Sequence, residues 1–290
     1  MRYTIEETCR EMADKQPDEF QSQYRLGCFL RNTNRHDEAK TVFQKALDIA
    51  DKSDNKIKPR LIENIKDMID DRPRYCKIVS GGTKEYHVDE MIRLLDKTGF
   101  QASNKTKILD VGSGNGDRIY ALSKHYSISA GNVHGLELRD ENIRYLNKFF
   151  NIHKVDLEND TFPFEDEHFD LIIFNQVIEH LKNIENPLLE IKRVLKKDGL
   201  AFIGCPNIAS TYCRLSIMVG KQPTVMKVGS AHIRGFTPEG LRRYLKSLGF
   251  DIIGFGGNGF YPLPIDWGRH LAKILPTHAL FIYFICSKNR

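Results

Sequence analysis

The spacing of apolar residues divides the chain into two parts. The first seventy residues place apolar positions at helical spacing and contain no convincing strand pattern. From residue 107 onward, short apolar runs alternate with amphipathic segments, which predicts strands that are mostly followed by helices. The predicted strands cover residues 107–111, 132–138, 152–156, 170–174, 200–205, 250–255 and 280–286. This alternation favours an α/β fold with a mostly parallel sheet that helices cover on both faces.

The helical part resembles one tetratricopeptide repeat, which is a pair of antiparallel helices. The positions that carry the resemblance are Leu26, Gly27, Leu30, Ala39, Phe43 and Ala46. Gln23 departs from it, because that position usually holds an aromatic or large apolar residue. One repeat cannot bury its own apolar face, so we expect residues 1–70 to cap the next domain; a docking surface for a protein partner is the alternative. Pro73 stops the helical pattern, and residues 71–290 form the second predicted domain.

A glycine loop follows the first predicted strand. Gly112, Gly114 and Gly116 come directly off this strand and open a helix, which is the context in which such a loop binds ligands. Because glycine has no Cβ, the backbone can turn sharply and approach a ligand closely. Glu137 ends the next strand, where a carboxylate can accept hydrogen bonds from both hydroxyls of a ribose.

The spacing of the loop distinguishes two nucleotide cofactors. A dinucleotide loop reads G-x-G-x-x-G and would have its third glycine at residue 117, but that residue is Asp117. Asp110 precedes the loop, so anionic side chains flank it on both sides. These charges disfavour a pyrophosphate and favour a cationic ligand. A nicotinamide-dependent dehydrogenase is therefore the weaker alternative, and a non-catalytic adaptor that acts through the helical repeat is another.

Seven motifs, in order, resemble those of the class I S-adenosylmethionine-dependent methyltransferases. The resemblance covers roughly residues 85–290, and its motifs are residues 110–116, 135–137, 155–157, 162–164, 169–172, 177–181 and 189–199. It implies a Rossmann-like sheet of seven strands in the order 3-2-1-4-5-7-6, with strand seven antiparallel. It also implies S-adenosyl-L-methionine as the cofactor.

The same resemblance implies which residues bind the cofactor. The glycine loop packs against the methionine portion, Glu137 holds the ribose, and Asp156 meets the adenine amino group. The carbonyl after strand four holds the ammonium group, and Asn175 and Gln176 occupy that position. The expected cofactor-binding residues are Asp110, Gly112, Gly114, Gly116, Glu137, Asp156, Leu157, Asn175 and Gln176.

Two histidines are candidate catalytic residues. His180 follows strand four, at the sheet edge where open α/β sheets bind ligands, and can serve as a general base or position the cofactor loop. His232 lies in a later loop with Arg234, which either contacts an anionic acceptor or orders that loop through a salt bridge. Some related methyltransferases bind a metal through E-x-x-E-H and a later histidine. Here Gln176 replaces the first carboxylate, so we expect no metal.

The acceptor is indicated by resemblance only. Residues 205–210, 232–237 and 259–264 are similar to methyltransferases found with enzymes of surface-polysaccharide biosynthesis, which implies a sugar hydroxyl on a nucleotide- or lipid-linked glycan. Tyr75 and Tyr86 lie where such enzymes often close a helix over the cofactor. A cluster of aromatic residues and prolines lies at the end of the sixth predicted strand and just after it: Phe255, Phe260, Tyr261, Pro262, Pro264 and Trp267. We expect this cluster to form a core under the last hairpin; the alternative is that it lines an acceptor pocket.

Composition narrows the class of protein further. The longest apolar run, 279–286, is too short to span a bilayer, and residues 1–7 lack the apolar core of a signal peptide. The 43 basic and 38 acidic residues leave a dispersed net charge of +5, which does not indicate a nucleic-acid binder. Six cysteines without a C-x-x-C pair predict reduced thiols. We therefore expect a cytoplasmic protein with a small-molecule or glycan acceptor.

Overall fold

The computed structural model describes residues 5–32, 35–52, 62, 65–66, 69, 88–114, 116–226, 231–261, 263 and 265–289. The chain forms two compact units, Met1–Gly82 and Thr83–Arg290. This division, the predicted boundary at Pro73, and Tyr75 and Tyr86 all lie outside the described residues. The 70/71 boundary therefore stays a prediction.

In the first unit the structure gives the bounds of helices α1 (Ile5–Lys15), α2 (Phe20–Asn32) and α3 (His36–Lys52), and the described residues 62, 65–66 and 69 are also helical. Gly27 and Phe43 lie in contact, because a Cβ on Gly27 would approach the Phe43 ring to 2.6 Å. Gln23 is buried, and its Nε2 donates to the carbonyl of Ala13 at 3.1 Å. This hydrogen bond explains how a polar side chain occupies a position where an apolar one was expected.

The second unit alternates strands and helices, as predicted. The helices are α4 (Val88–Lys97), α5 (Asp117–His125), α6 (Asp140–Leu146), α7 (Glu185–Val194), α8 (Thr211–Met218), α9 (Pro238–Ser247) and α10 (Ile265–Ile274). The strands are β1 (Ile108–Val111), β2 (Val133–Glu137), β3 (Asn151–Lys154), β4 (Phe169–Asn175), β5 (Leu195–Pro206), β6 (Phe250–Asn258) and β7 (Phe281–Lys288).

The seven strands form one sheet in the order β3-β2-β1-β4-β5-β7-β6. The pairs among β3, β2, β1, β4 and β5 are parallel, and β7 is antiparallel to both β5 and β6. The sequence-based expectation of a Rossmann-like α/β sheet with an antiparallel last strand is confirmed. The carboxyl ends of β1, β2 and β4 therefore lie at one edge, where the candidate site residues were expected.

Both faces of the sheet are buried. In β7, Ile282 and Phe284 belong to one apolar cluster, whereas Tyr283 and Ile285 belong to the other. This alternation follows from the two-residue period of a strand. Side chains of α7 and α9 pack in the first cluster, and those of α4 and α5 pack in the second.

The fifth strand begins earlier than predicted. Its first residue is Leu195, whereas the predicted strand began at residue 200. Leu195 pairs with Phe169, and the register then shifts between Phe169 and Leu171. Lys196 also contacts the Asp170 carboxylate at 2.7 Å. These contacts join distant parts of the chain, so the local pattern did not reveal them.

Three histidines pack against one another beside the sheet. The ring of His134 lies 6.0 Å from that of His153 and 6.2 Å from that of His168. Burial and these neighbours lower the pKa of His134 to about 4, and burial also lowers the pKa values of His153 and His168. Lys107 lies 3.1 Å from His168 and further disfavours protonation there.

We expect this cluster to make the fold sensitive to acid. The unfolded chain takes up protons near the ordinary histidine pKa of about 6.5, whereas the folded cluster resists them. Stability should therefore be intact above about pH 6.5 and fall as the pH drops towards 4. Thermal unfolding at several pH values measures this effect. His134→Gln should show a smaller pH dependence than the wild type, and an unchanged dependence would contradict the assignment.

Candidate active site

The loop between β1 and α5 requires glycine at three positions. Gly112, Gly114 and Gly116 have φ angles of 77°, 56° and 79°, which side-chain-bearing residues rarely adopt. The amides of Gly112 and Ser113 both donate to the carbonyl of Leu136, each at 2.9 Å. These bonds fix the start of the loop against the end of β2.

Only one of these glycines faces open space. A Cβ on Gly112 would lie 2.6 Å from the Val177 side chain, and one on Gly116 would lie 2.3 Å from Leu146. A Cβ on Gly114 would meet nothing within 4 Å. Gly112 and Gly116 therefore serve close packing, whereas Gly114 leaves room for a ligand.

Glu137 lies against this open position. Its Oε2 accepts a hydrogen bond from the Gly114 amide at 2.7 Å, and its Oε1 accepts from the amides of Leu138 and Arg139. A carboxylate has about four acceptor sites, so capacity remains for a ligand hydroxyl. Ribose binding by Glu137 stays a prediction, and the position of the carboxylate beside the loop is compatible with it.

We expect Glu137→Ala to weaken binding of S-adenosylhomocysteine by about 10- to 150-fold, or about 1.5–3 kcal/mol. The variant loses the charged acceptor beside Gly114 and the bonds that order the loop. Isothermal titration calorimetry measures the affinity, and a melting curve checks the fold. Glu137→Gln is the matched control, since it retains one carbonyl oxygen and should lose less. Wild-type affinity in the alanine variant would exclude Glu137 from the cofactor site.

Buried polar groups surround the loop without internal partners. Both carboxylate oxygens of Asp110 and both amide atoms of Asn175 lack a hydrogen-bond partner among the described residues. Burial raises the pKa of Asp110 to about 6, while the nearby Arg118 guanidinium opposes this rise. Unpaired buried groups are costly, so these atoms are suited to a bound polar ligand. A cation beside Asp110 would favour its charged form.

Gln176 and Asp156 differ in the hydrogen bonds that their side chains make within the described part of the chain. Gln176 has a φ of 59°, and its amide donates to the carbonyl of Gly204 at 2.8 Å, while its side-chain Nε2 has no partner in the described part of the chain. Asp156 accepts from the amide of Glu158 and from Asn159 Nδ2 at 3.0 and 2.9 Å. The Asn159 bond lowers the pKa of Asp156.

Asp156 therefore closes the turn after β3, and Leu157 packs in the apolar core beside it. The adenine contact of Asp156 and the cofactor role of Leu157 stay predictions. The Nε2 atom of Gln176 has no partner among the described residues, and its role in holding the ammonium group stays a prediction.

A short 3₁₀ turn after β4 brings the two candidate histidines together. Residues Ile178–His180 form the turn, and the carbonyl of Glu179 accepts from the amide of Ile233 at 2.9 Å. Arg234 Nε donates to the carbonyl of Leu181 at 3.0 Å. Arg234 thus orders its loop through backbone carbonyls. These backbone contacts take the place of the expected salt bridge, and contact of Arg234 with an anionic acceptor stays a prediction.

His180 and His232 have their Nδ1 atoms on backbone carbonyls. His180 Nδ1 lies 3.0 Å from the oxygen of Ala231, and His232 Nδ1 lies 2.6 Å from that of Val225. A carbonyl only accepts, so Nδ1 carries the proton and the neutral ring keeps its lone pair on Nε2. The two rings are 4.8 Å apart. Burial lowers the pKa of His180, which favours this neutral form.

Glu179 is a third member of this group. It is 1% exposed, its carboxylate has no hydrogen-bond partner from another described residue, and Oε1 lies 3.9 Å from His180 Nε2. Burial raises its pKa to about 7. One ligand atom from each of Glu179, His180 and His232 lies within 4.8 Å of the others, a spacing that can hold a metal ion. Metal-free chemistry therefore stays a prediction.

Sequence reasoning missed Arg118 and gave Glu179 no catalytic role. Arg118 lies in α5, and its charge opposes the raised pKa values of both Asp110 and Glu179. No local motif marks it, because the groups it faces come from β1 and the turn after β4. The sequence marked Glu179 only as the second carboxylate of the E-x-x-E-H pattern, for which no metal was expected.

The aromatic cluster does not form one pocket. Phe255 packs on Phe284 with ring centroids 5.0 Å apart, and Phe260 is buried with Ala272 and Ala279. Tyr261 and Trp267 are 60% and 74% exposed. Pro262 and Pro264 lie outside the described residues. The expectation of a shared core holds for part of the cluster only, because α10 turns Trp267 outward.

Comparisons with known proteins agree with this fold. Residues 109–203 match a family described as a methyltransferase domain. Sarcosine/dimethylglycine N-methyltransferase of Halorhodospira halochloris is 28% identical over 167 residues, which cover 56% of this chain and 57% of that protein. The mitochondrial ubiquinone biosynthesis O-methyltransferase of Bos taurus is 27% identical over 187 residues, which cover 60% of this chain and 50% of that protein. The matched segments thus span about half the length of these curated relatives.

A solved structure shows the same fold. A chain in the complex between the Haloferax volcanii Trm112 methyltransferase activator and a methyltransferase superposes with a TM-score of 0.51 at 14% identity, covering 71% of this chain and 91% of that one. The match begins at β1, includes the glycine loop and Glu137, and ends in β5. The chain therefore contains a methyltransferase domain of the S-adenosylmethionine-dependent class.

Proposed function

We propose that this protein transfers a methyl group from S-adenosylmethionine to a hydroxyl oxygen of a sugar or glycan-biosynthesis intermediate. The observation that carries the choice of a hydroxyl is the pair of histidines, whose Nε2 lone pairs are fixed by carbonyl contacts at Nδ1. A hydroxyl is a weak nucleophile until its proton is removed, so it needs a nearby base.

The residues around the glycine loop fit the cofactor. Gly114 leaves open space, Glu137 lies beside it, and Asp110 and Asn175 offer unpaired buried atoms to a cationic group. When bound, S-adenosylmethionine supplies an activated methyl group on a sulfonium sulfur. The protein then has to bind it, orient the acceptor and exclude water.

His180 is the proposed base. Its Nδ1 proton is held by Ala231, its Nε2 is basic, and its lowered pKa keeps it neutral near pH 7. His232 lies next to it and orients the acceptor side of the loop. Glu179 Oε1 lies 3.9 Å from His180 Nε2, and in its ionised form this carboxylate stabilises the imidazolium that forms when His180 takes the proton.

The acceptor class rests on the three sequence segments that resemble methyltransferases of polysaccharide biosynthesis. The two curated relatives act on different acceptors by their names, one at nitrogen and one at oxygen, so neither acceptor is carried over. Residues 1–70 are proposed to cap the catalytic domain, with partner docking as the alternative.

The deciding experiment incubates the protein with labelled S-adenosylmethionine and a cell extract, followed by mass spectrometry of the labelled product. We expect a methyl ether on a sugar. Nucleotide sugars and simple amines are then tested as purified acceptors. An N-methylated product would overturn the hydroxyl assignment. Binding of NAD in place of S-adenosylhomocysteine would overturn the methyltransferase proposal itself.

A further inference from the structure

The end of α8 exposes apolar side chains around its circumference. Leu215, Ile217, Met218 and the following Val219 are between 55% and 80% exposed. Leu215 and Ile217 lie about 200° apart on the helix, at 100° per residue, so they point to nearly opposite sides. A protein partner with one flat surface would cover only one of these sides. A helix end that exposes apolar side chains on several sides, with the exposed Arg214 between them, is better suited to a medium that surrounds it.

Helix α10 turns an apolar stripe outward. Trp267 and Ile274 are 74% and 71% exposed, and their spacing of seven residues places them on one face. With Leu263, His270 and Leu271 they line an open groove of about 460 Å³. The opposite face of the helix is the one that packs inward, where Ala272 is buried against Phe260 and Ala279.

Residues at the start of α8 contact residues that flank α10 in the sequence. The rings of Tyr212, at the start of α8, and Tyr261, just before α10, lie 5.0 Å apart in an edge-to-face arrangement. Thr211 Oγ1 lies 3.2 Å from His278 Nδ1, which follows α10. The two exposed apolar segments therefore belong to one region of the second unit, which we call the α8–α10 surface.

Few acidic residues flank this surface: Asp266 precedes Trp267 in the sequence, and Asp89 of α4 pairs with Arg269 of α10 at 2.9 Å. Residues 199–238 contain no aspartate or glutamate, and residues 252–290 contain Asp266 alone, although the whole chain has 38 acidic residues. Arg214, Lys221 and Lys273 are exposed next to the apolar side chains. The surface thus combines exposed apolar groups with a local excess of positive charge.

We propose that the α8–α10 surface binds an anionic lipid bilayer, with the end of α8 and the Trp267 face of α10 inserted at the interface. Apolar insertion and attraction of basic side chains to anionic headgroups together give this kind of binding. No helix among the described residues is long and apolar enough to cross a membrane, so the chain would lie on the bilayer through these segments. This proposal does not depend on methyl transfer.

Trp267 is the chain's single tryptophan, so its fluorescence reports directly on the surface. The full chain is mixed with phosphatidylcholine vesicles that contain or lack phosphatidylglycerol. We expect a blue shift of the Trp267 emission and co-sedimentation with the anionic vesicles only. Lipids brominated on their acyl chains should quench the emission. Both effects should weaken as salt rises.

One double variant and one control variant test the residues involved. Met218→Ser combined with Ile217→Ser should weaken vesicle binding by about tenfold, since two apolar side chains no longer insert. Leu189→Ser is the control, because Leu189 is 45% exposed on α7, away from this surface, and its variant should bind as the wild type does. Circular dichroism confirms that each variant is folded.

Three results would overturn the proposal. One is an unshifted Trp267 spectrum with anionic vesicles. Another is equal loss of binding in the control and in the α8 variant, which would indicate unspecific adsorption. The third is a blue shift that follows protein concentration without vesicles and accompanies dimer formation in sedimentation, since the surface would then be an interface between two copies.

Discussion

His180→Ala should lower turnover by about 10²- to 10⁴-fold and leave the affinity for S-adenosylhomocysteine nearly unchanged. The variant removes the Nε2 lone pair, whereas the glycine loop and Glu137 keep their contacts. The wild-type rate should rise with pH through one ionisation below the ordinary histidine pKa, because burial lowers the pKa of His180 and the neutral ring is the active form. This limb should be missing in the variant. Stopped assays with the natural acceptor measure both effects.

His125→Ala is the matched control for this experiment, since His125 ends α5 and belongs to no part of the candidate site. Its turnover and pH profile should equal those of the wild type. We also expect activity to survive a chelator. Loss of activity with the chelator, together with loss of bound metal in His180→Ala and His232→Ala, would assign both histidines to a metal instead. Near-wild-type turnover in His180→Ala would exclude it as the base.

Gly114→Val should abolish measurable cofactor binding, with a loss of about 100-fold or more. The backbone at Gly114 has a φ of 56°, which a branched residue adopts only with strain, and the valine side chain would enter the open space beside Glu137. Calorimetry with S-adenosylhomocysteine measures the loss. The fold should survive, because a Cβ there meets no atom of the described residues within 4 Å apart from its chain neighbours.

Gly99→Val separates strain from lost cofactor space. Gly99 has a φ of 78° and open surroundings, but it lies between α4 and β1, away from the loop. This variant should lose a comparable amount of stability and keep wild-type cofactor affinity. If both variants bind the cofactor equally well, Gly114 does not face the cofactor.

The positions of the strands and their order in the sheet were predicted from two different kinds of information in the sequence. Apolar runs located all seven strands, because buried parallel strands are short, apolar and bounded by loops. Their order came from the family resemblance, since periodicity carries no information on which strands pair. The early start of β5 was missed because the Lys196–Asp170 contact joins residues that are 26 positions apart.

Candidate site residues could be predicted where a single short segment of the sequence contains them. The glycine loop and Glu137 were found because a short motif and a fixed spacing mark them. Arg118 and the carboxylate of Glu179 were missed because their environment arises from several strands and loops that meet only in the fold. The carbonyl partners of His180 and His232 could not be predicted either, because every residue has a backbone oxygen and the sequence does not show which one a side chain contacts.

These carbonyl partners have a consequence for how the protein can change its acceptor. The Nδ1 atoms of His180 and His232 lie on the backbone carbonyls of Ala231 and Val225, so these two contacts do not depend on which side chains residues 231 and 225 carry. Side chains in this loop can therefore be exchanged while the histidines keep the same tautomer. Under the proposed function, positions 225 and 231 are therefore suitable for a substitution library that retains turnover.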